Sequence, residues 1–368
     1  MHDLQTDWLV FVGTYTISAS HPQGREDGIY IFRFDTSSGE LDQIGSVKGV
    51  VNPAFLALAP NGRILYAVNE TREFQGQPGG GLSALAIEPS TGRLRLLNQV
   101  RSQGIEPCHI HLDIHSKWAF VANYASGSLS VFPVQTGEAP GEAAQVIQHE
   151  GHGKDPQRQR EAHIHSSLVD PSSRFLLVAD LGIDQIRVYR IGDAPQPLIP
   201  NDPPGISLEP GAGPRHMAFH PNRPVVYSVN ELASTVSIFA FDAESGSLSE
   251  IQTHTVLPRD FHGENSAADI QLTPDGRFLY CSNRGHDSLA AFRVTSPAGK
   301  LETIDHFPTG GKSPRNFAIH PNGRWLLAAN QKSDRIQVFS IDPDSGRLAP
   351  AGRTVEIPEP ACILIGRG

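Results

Sequence analysis

Internal repetition constrains this chain more than any other feature. The stretch PRHMAFHPNRPVVYSVNELASTVSIFAFD, residues 214–242, returns in variants along most of the sequence. It reads as three short strands, Arg215–His220, Val225–Asn230 and Thr235–Phe241, with a turn at Pro221–Pro224. Val225, Tyr227 and Val229 lie on one side of the second strand and Val226 on the other, so both faces of the sheet are expected to be covered. Sheets stacked face to face around a ring meet that requirement.

The unit begins at Pro53, Pro107, Ala162, Pro214, Ala267 and Pro314, and spacings of roughly 46 to 57 residues suit a four-stranded blade with a variable loop. Residues 8–50 hold three strand-like runs that lack the opening strand, and PEPACILIG, residues 358–366, matches only the beginning of a unit. Joining the two ends completes one more blade and removes a free sheet edge. The expected fold is all-β: a seven-bladed β-propeller of four-stranded antiparallel blades, its ring closed by the N-terminal strands pairing with the C-terminal strand, as one domain over residues 1–368. A second recurrent turn reads SSGEL at 37–41, STGRL at 90–94, ESGSL at 244–248, PAGKL at 297–301 and DSGRL at 344–348. Its glycine supplies the positive φ between the third and fourth strands.

Thirty basic residues stand against 39 acidic ones, a net charge of −9, which argues against nucleic acid or an anionic membrane as the main partner. Affinity for an anion must therefore be local. Cys108, Cys281 and Cys362 are odd in number and far apart, which fits buried thiols in a reducing compartment better than a disulfide framework or a zinc knuckle. The opening MHDLQTDWLVFVGTYT has no basic segment ahead of a long apolar run, and no apolar run reaches membrane-spanning length. A cytoplasmic protein is expected. No G-x-S-x-G elbow, Walker loop, H-E-x-x-H or dinucleotide fingerprint stands in a fitting context, and no cofactor is expected.

Strands of a blade run antiparallel, so the start of the first and the end of the second share one end of the ring, the top. The long connections Thr16–Gly28, Glu70–Gly81, His149–Ala162 and His254–Ala267 fall there, which marks the top as the binding face. Alignment of the units stacks Arg215 with Arg315, and His109, His163 and His216 with Asp269 and Asn316; His111 and His165 follow two residues later. The second strands end in Glu70, Tyr124, Leu181, Glu231, Arg284 and Gln331, each after an Asn or Asp such as Asn230 and Asn283. With the first strand innermost, His, Arg, Glu and Asn ring the mouth.

His109/His111 and His163/His165 each point to one side of a strand, as a metal site requires, but no third ligand stands out and none is assigned. The same alternation gives no preference between His163 and His165 as a proton-transfer group. Arg215, Arg284 and Arg315, close to a narrow channel, need acceptors. Salt bridges to Glu231, Glu70 or Asp269 would supply them, and so would a bound phosphate or carboxylate. Both hold together if Glu231 orients Arg215 and leaves part of its fork open.

DPQRQREAHIHSSLVDPSSRFLLVADLGIDQIRVYR, GPRHMAFHPNRPVVYSVNELASTVSIF, GENSAADIQLTPDGRFLYCSNRGHDSLAAF and SPRNFAIHPNGRWLLAANQKSDRIQVF resemble the seven-bladed propeller lactonase family, and the similarity runs from VGTYT at 12–16 to PACILI. That family includes the bacterial propeller type of 6-phosphogluconolactonase and, more distantly, the fungal 3-carboxy-cis,cis-muconate lactonising enzyme. The fungal branch implies a histidine, two arginines and a glutamate at the site. The matching positions here are His165, Arg215, Arg284 and Glu231.

The resemblance and the arginine-rich mouth together lead to hydrolysis of 6-phosphoglucono-1,5-lactone to 6-phosphogluconate. His165, Glu231, Arg215 and Arg284 are expected to be catalytic, with His109, His163, Arg315, Asn230 and Asn283 binding a small anionic lactone and no metal involved. The oligomeric state is left open. Two rivals stand beside this reading: a muconate-type cyclising enzyme and a non-catalytic binding propeller. A narrow polar pocket around Arg215 separates the enzymes from the binding module.

Overall fold

The computed structural model describes residues 8–18, 24, 27–89, 91–115, 117–134 and 140–367. Their strands form seven four-stranded antiparallel sheets and one two-stranded ribbon. Blade 1 takes Trp8–Thr14, Asp27–Phe34 and Leu41–Lys48 from the N-terminal region and its innermost strand, Pro360–Arg367, from the far end of the chain. Trp8–Thr14 pairs antiparallel with that strand, which closes the ring as the sequence predicts. Blades 2 to 7 follow in order, with inner strands Leu56–Leu58, Pro107–Leu112, Ile164–Val169, Pro214–Phe219, Ser266–Leu272 and Pro314–Ile319. No helix among the described residues is long and apolar enough to cross a membrane.

The core is a set of seams between blades. Val225, Tyr227 and Val229 of blade 5 pack on Leu279 and Cys281 of blade 6, while Val226 faces the other way into Leu177 and Ala179 of blade 4. The remaining neighbours share similar clusters, among them Val12 and Phe32 against Leu327 and Val338 across the closing seam. The second strands of blades 2 to 5 are buried along their whole length, and those of blades 1, 6 and 7 at all but one residue. No blade covers both of its own faces, so each depends on its neighbours for the transfer of its apolar side chains out of water.

One irregularity recurs and sets up the channel. In blades 3, 4, 5 and 7 the register between inner and second strand slips after the first inner residue, leaving Cys108, His165, Arg215 and Arg315 without a partner opposite. Blade 6 slips between Ala267 and Ile270, and blade 1 between Pro360 and Cys362. A bulge of this kind turns its extra side chain out of the pleat. Cys108, Arg215 and Arg315 meet Ala54 and Ala361 around a small central cavity at the upper end of the channel.

Candidate active site

Glu231 is the centre of the top mouth. It follows Asn230 at the end of blade 5's second strand, and its side chain is 5% exposed. Its Oε2 lies 2.9 Å from Arg215 Nε and 2.9 Å from Arg284 Nη2, and its Oε1 lies 2.6 Å from Arg158 Nη2. The three guanidiniums come from three places: the bulge of blade 5, the end of the second strand of blade 6, and the long loop ahead of blade 4. Burial opposes the carboxylate charge, but Arg284, Arg215 and Arg158 more than offset it and hold the group far below the usual carboxyl range. Glu231 is therefore an anchor for cations and a poor proton acceptor.

Arg315 is held differently. Its guanidinium lies over the ring of Tyr15, 5.2 Å from the centroid, and among the described residues it makes no hydrogen bond or ion pair. Tyr15 donates its hydroxyl to Glu70 Oε2 at 2.8 Å. Burial works against the Arg315 charge, and the Tyr15–Glu70 pair beside it more than restores it. A cavity of about 360 Å³ opens here, lined by Tyr15, Asn52, Glu70, Glu106, Arg315 and Gln331. The fork is thus charged, anchored by stacking, and free to take an oxyanion.

His165 stands at the wall below. It is 6% exposed, its ring centroid is 5.5 Å from that of Tyr124, and its Nδ1 is 3.9 Å from Cys108 Sγ. Burial first, and then the charge of Arg215, push its pKa well below the ordinary imidazole value, so the ring is neutral at neutral pH and a weaker base than a free imidazole while those charges stand unopposed. Cys108 is no rival nucleophile, because burial pushes its thiol up and keeps it protonated.

The remaining sequence candidates separate. His163 precedes the inner strand, donates its backbone N–H to Asp180 Oδ1 at 2.8 Å and stacks on Tyr124 with centroids 4.6 Å apart. The structure corrects its alignment with His109 and His216. Ile164 pairs with Asp180 as Pro107 pairs with Asn123 and Pro214 with Asn230, so Ser166 is the true counterpart of His109 and His216, and His165 that of Arg215. The repeated His-Ile-His of blades 3 and 4 is a coincidence of spelling, because Ile164 fills the slot that proline fills in its neighbours.

His109 lies one layer further down the channel, between Phe55 and His216 at centroid distances of 4.3 and 5.4 Å, and faces a lower cavity of about 680 Å³. Asn230 turns into its own blade, and Asn283 toward the segment that leaves the outer strand of blade 5. Asn230 Nδ2 donates to Thr235 Oγ1 and Ser237 Oγ, and Asn283 Nδ2 to the Val256 carbonyl. Arg158 and Tyr15 are the site members that the sequence columns do not contain, while Tyr124 stands in the second-strand column without an assigned role. Arg158 lies in a loop already placed on the top face, but nothing in DPQRQREAH separates it from Arg160, which donates instead to the Pro156 carbonyl. Of the four long top loops, Thr16–Gly28 lies largely outside the described residues. Among those residues no three His, Cys, Asp or Glu side chains gather around a common point to hold a metal ion.

The family model of the lactonases with a seven-bladed β-propeller matches residues 9–365. The chain belongs to that family. A 6-phosphogluconolactonase of Bacillus subtilis is 34% identical over 358 residues, covering 97% of this chain and 98% of the relative. One of Formosa agariphila is 37% identical over 314 residues, covering 84% and 86%. Among solved structures, the periplasmic gluconolactonase of Pseudomonas aeruginosa superposes with a TM-score of 0.90 at 34% identity, over 98% of this chain and 99% of that one. In this lactonase, then, a cation-rich mouth and a buried neutral imidazole share the top end of the ring.

Proposed function

We propose that the chain hydrolyses 6-phosphoglucono-1,5-lactone to 6-phosphogluconate. The observation that carries the substrate is the open fork of Arg315 in a site whose other guanidiniums are tied to Glu231. Arg315 takes the phosphate, and Arg284 and Arg215, fixed by Glu231, face the lactone carbonyl and stabilise the negative charge that develops on its oxygen. His165 accepts a proton as water attacks the carbonyl carbon. When the ring C–O bond breaks, the imidazolium returns that proton to the departing alkoxide, and the new carboxylic acid loses its proton to solvent. Binding of an anion offsets the guanidinium field that depresses His165, so the base strengthens when substrate arrives.

Membership in the lactonases makes this an enzyme that opens lactones, and no feature of the site favours a cyclising reaction or a non-catalytic role. The similarity to a gluconolactonase supports a second reading, in which the unphosphorylated lactone is the substrate. We place the protein in the cytoplasm, because a phosphorylated sugar does not cross a membrane unaided and all three cysteines are free thiols.

The deciding assay follows freshly made 6-phosphogluconolactone and gluconolactone at neutral pH, with spontaneous opening subtracted. The phosphorylated lactone is expected to have the higher kcat/KM. Arg315→Ala is expected to raise its KM by about 10- to 100-fold, the worth of one charge-assisted contact of roughly 1.5–3 kcal/mol, and to leave gluconolactone unaffected. Equal handling of both lactones would remove the phosphate assignment. No acceleration of either would remove the hydrolytic one.

A further inference from the structure

Resting on the reading above, we propose that Asp269 and His216 are positioning residues for Arg215: Asp269 fixes the tautomer of His216, and the imidazole gives the Arg215 guanidinium an acceptor that sets its plane. His216 Nδ1 lies 2.8 Å from Asp269 Oδ1. An ionised carboxylate only accepts, so Nδ1 carries the proton and Nε2 presents its lone pair. That lone pair faces Arg215 Nη1 at 3.4 Å, and Nη1 also donates to the Ala268 carbonyl. The other carboxylate oxygen of Asp269 accepts from Asn316 Nδ2 at 2.7 Å and from the Phe317 N–H at 3.3 Å.

The result is a directed chain across three blades. Asn316 donates to Asp269, His216 donates to Asp269, Arg215 donates to His216, and Arg215 Nε meets Glu231. Every member is buried: Arg215 is 2% exposed, Asp269 and Asn316 4%, and His216 5%. The other groups around His216 are the rings of Phe55, His109 and His165 and the charge of Arg315. None of them competes with Asp269 for the Nδ1 proton.

Packing does not ask for this arrangement. The equivalent inner-strand positions in blades 1, 2 and 4 are Cys362, Phe55 and Ser166, and the ring closes there equally well. A buried Asp beside a buried imidazole carries a desolvation cost. The hydrogen bonds that Asp269 accepts from His216, Asn316 and the Phe317 N–H offset that cost, and the same contacts set the orientation of the imidazole that Arg215 meets. Nη1 of Arg215 is then fixed by hydrogen bonds to His216 and Ala268, the charge of Glu231 lies 2.9 Å from Nε, and the substrate meets a guanidinium already aimed.

The test uses the full-length enzyme and three variants, each first shown to be folded by circular dichroism. In Asp269→Asn the new amide donates to Nδ1, so the proton moves to Nε2 and points at the Arg215 N–H. We expect the imidazole nitrogen shifts of ¹⁵N-histidine-labelled protein to report that exchange, and kcat to fall by about 100-fold with KM within about threefold, the scale of a misplaced oxyanion donor. His216→Gln keeps an acceptor for Arg215 and a donor for Asp269, and is expected to stay within about tenfold of wild type. His216→Phe fills the volume without an acceptor and is expected to match Asp269→Asn. Wild-type kcat in His216→Phe, or an exchanged tautomer with unchanged kcat, overturns the proposal. A wild-type enzyme inactive on both lactones overturns the functional reading instead, and the tautomer exchange still tests the coupling.

Discussion

Glu231 carries more of the site than any other residue, because three guanidiniums meet on one carboxylate and one of them is almost fully buried. Removing one partner of a buried pair leaves the other's charge uncompensated. Glu231→Gln is expected to lower stability by about 3–5 kcal/mol and kcat by at least 100-fold, read from urea unfolding and the lactone assay. Arg158→Ala is the informative contrast. Its side chain is 40% exposed, and a pair of that kind is worth roughly 0.2–1 kcal/mol, so the urea midpoint should hardly move. Equal destabilisation by both variants would mean that Arg158 is as integral as Arg215. Glu231, Arg215 and Arg284 can be brought together from sequence because each sits at a fixed place in the repeat. Arg158 cannot, because a loop has no register, and His163 was misplaced because letter matching ran ahead of hydrogen-bond register.

At the level of the element, the repeated turn shows what a sequence pattern leaves out. The glycine of S-G-x-L and its variants is needed for a positive φ, 72° at Gly346. The structure adds a second reason. A Cβ on Gly346 would lie 2.4 Å from Phe278 Cδ1 of the preceding blade, and one on Gly39 would lie 2.5 Å from Trp325 Cζ3 across the closing seam. The turn is thus a contact between blades as well as a bend within one, and Tyr280 of blade 6 donates its hydroxyl to the Gly346 carbonyl at 2.8 Å. Gly346→Ala combines strained backbone with overpacking, and a loss of about 2–4 kcal/mol is expected by urea unfolding. A loss under about 1 kcal/mol, the scale of the backbone preference alone, would show that Phe278 simply moves aside. The bulges that aim Arg215, Arg315 and His165 were equally hidden, because period-two alternation contains no sign of a skipped residue.

On the scale of the whole molecule the ring was legible from the repeat and from the incomplete units at its two ends, because blade stacking and closure follow from strands that must be covered on both faces. The central channel was harder to read, since it gathers one residue from each repeat and buries groups that look exposed in a list of hydrophilic residues. That burial has a thermodynamic consequence. His109, His111, His165 and His216 all have pKa values pushed down, His111 and His216 to about 4, with burial the leading cause in each. In the unfolded chain each returns to about 6.5. Between these values the unfolded state binds protons that the folded state refuses, so the contribution is intact above about pH 6.5 and is lost as pH falls. Near pH 5.5 His111 and His216 alone cost about 2.5 kcal/mol per pH unit, and His109 and His165 act with the same sign. Glu70, raised by burial, opposes them as a single group, and the carboxylates with depressed pKa values act at lower pH. The urea midpoint is therefore expected to fall steeply from pH 7 to 5, and the fall should be shallower by about 1 kcal/mol per pH unit in His111→Gln, which removes one titrating imidazole from the lower channel. A midpoint that stays level over that range, or a slope that His111→Gln leaves unchanged, would show that the channel imidazoles accept protons without unfolding the ring.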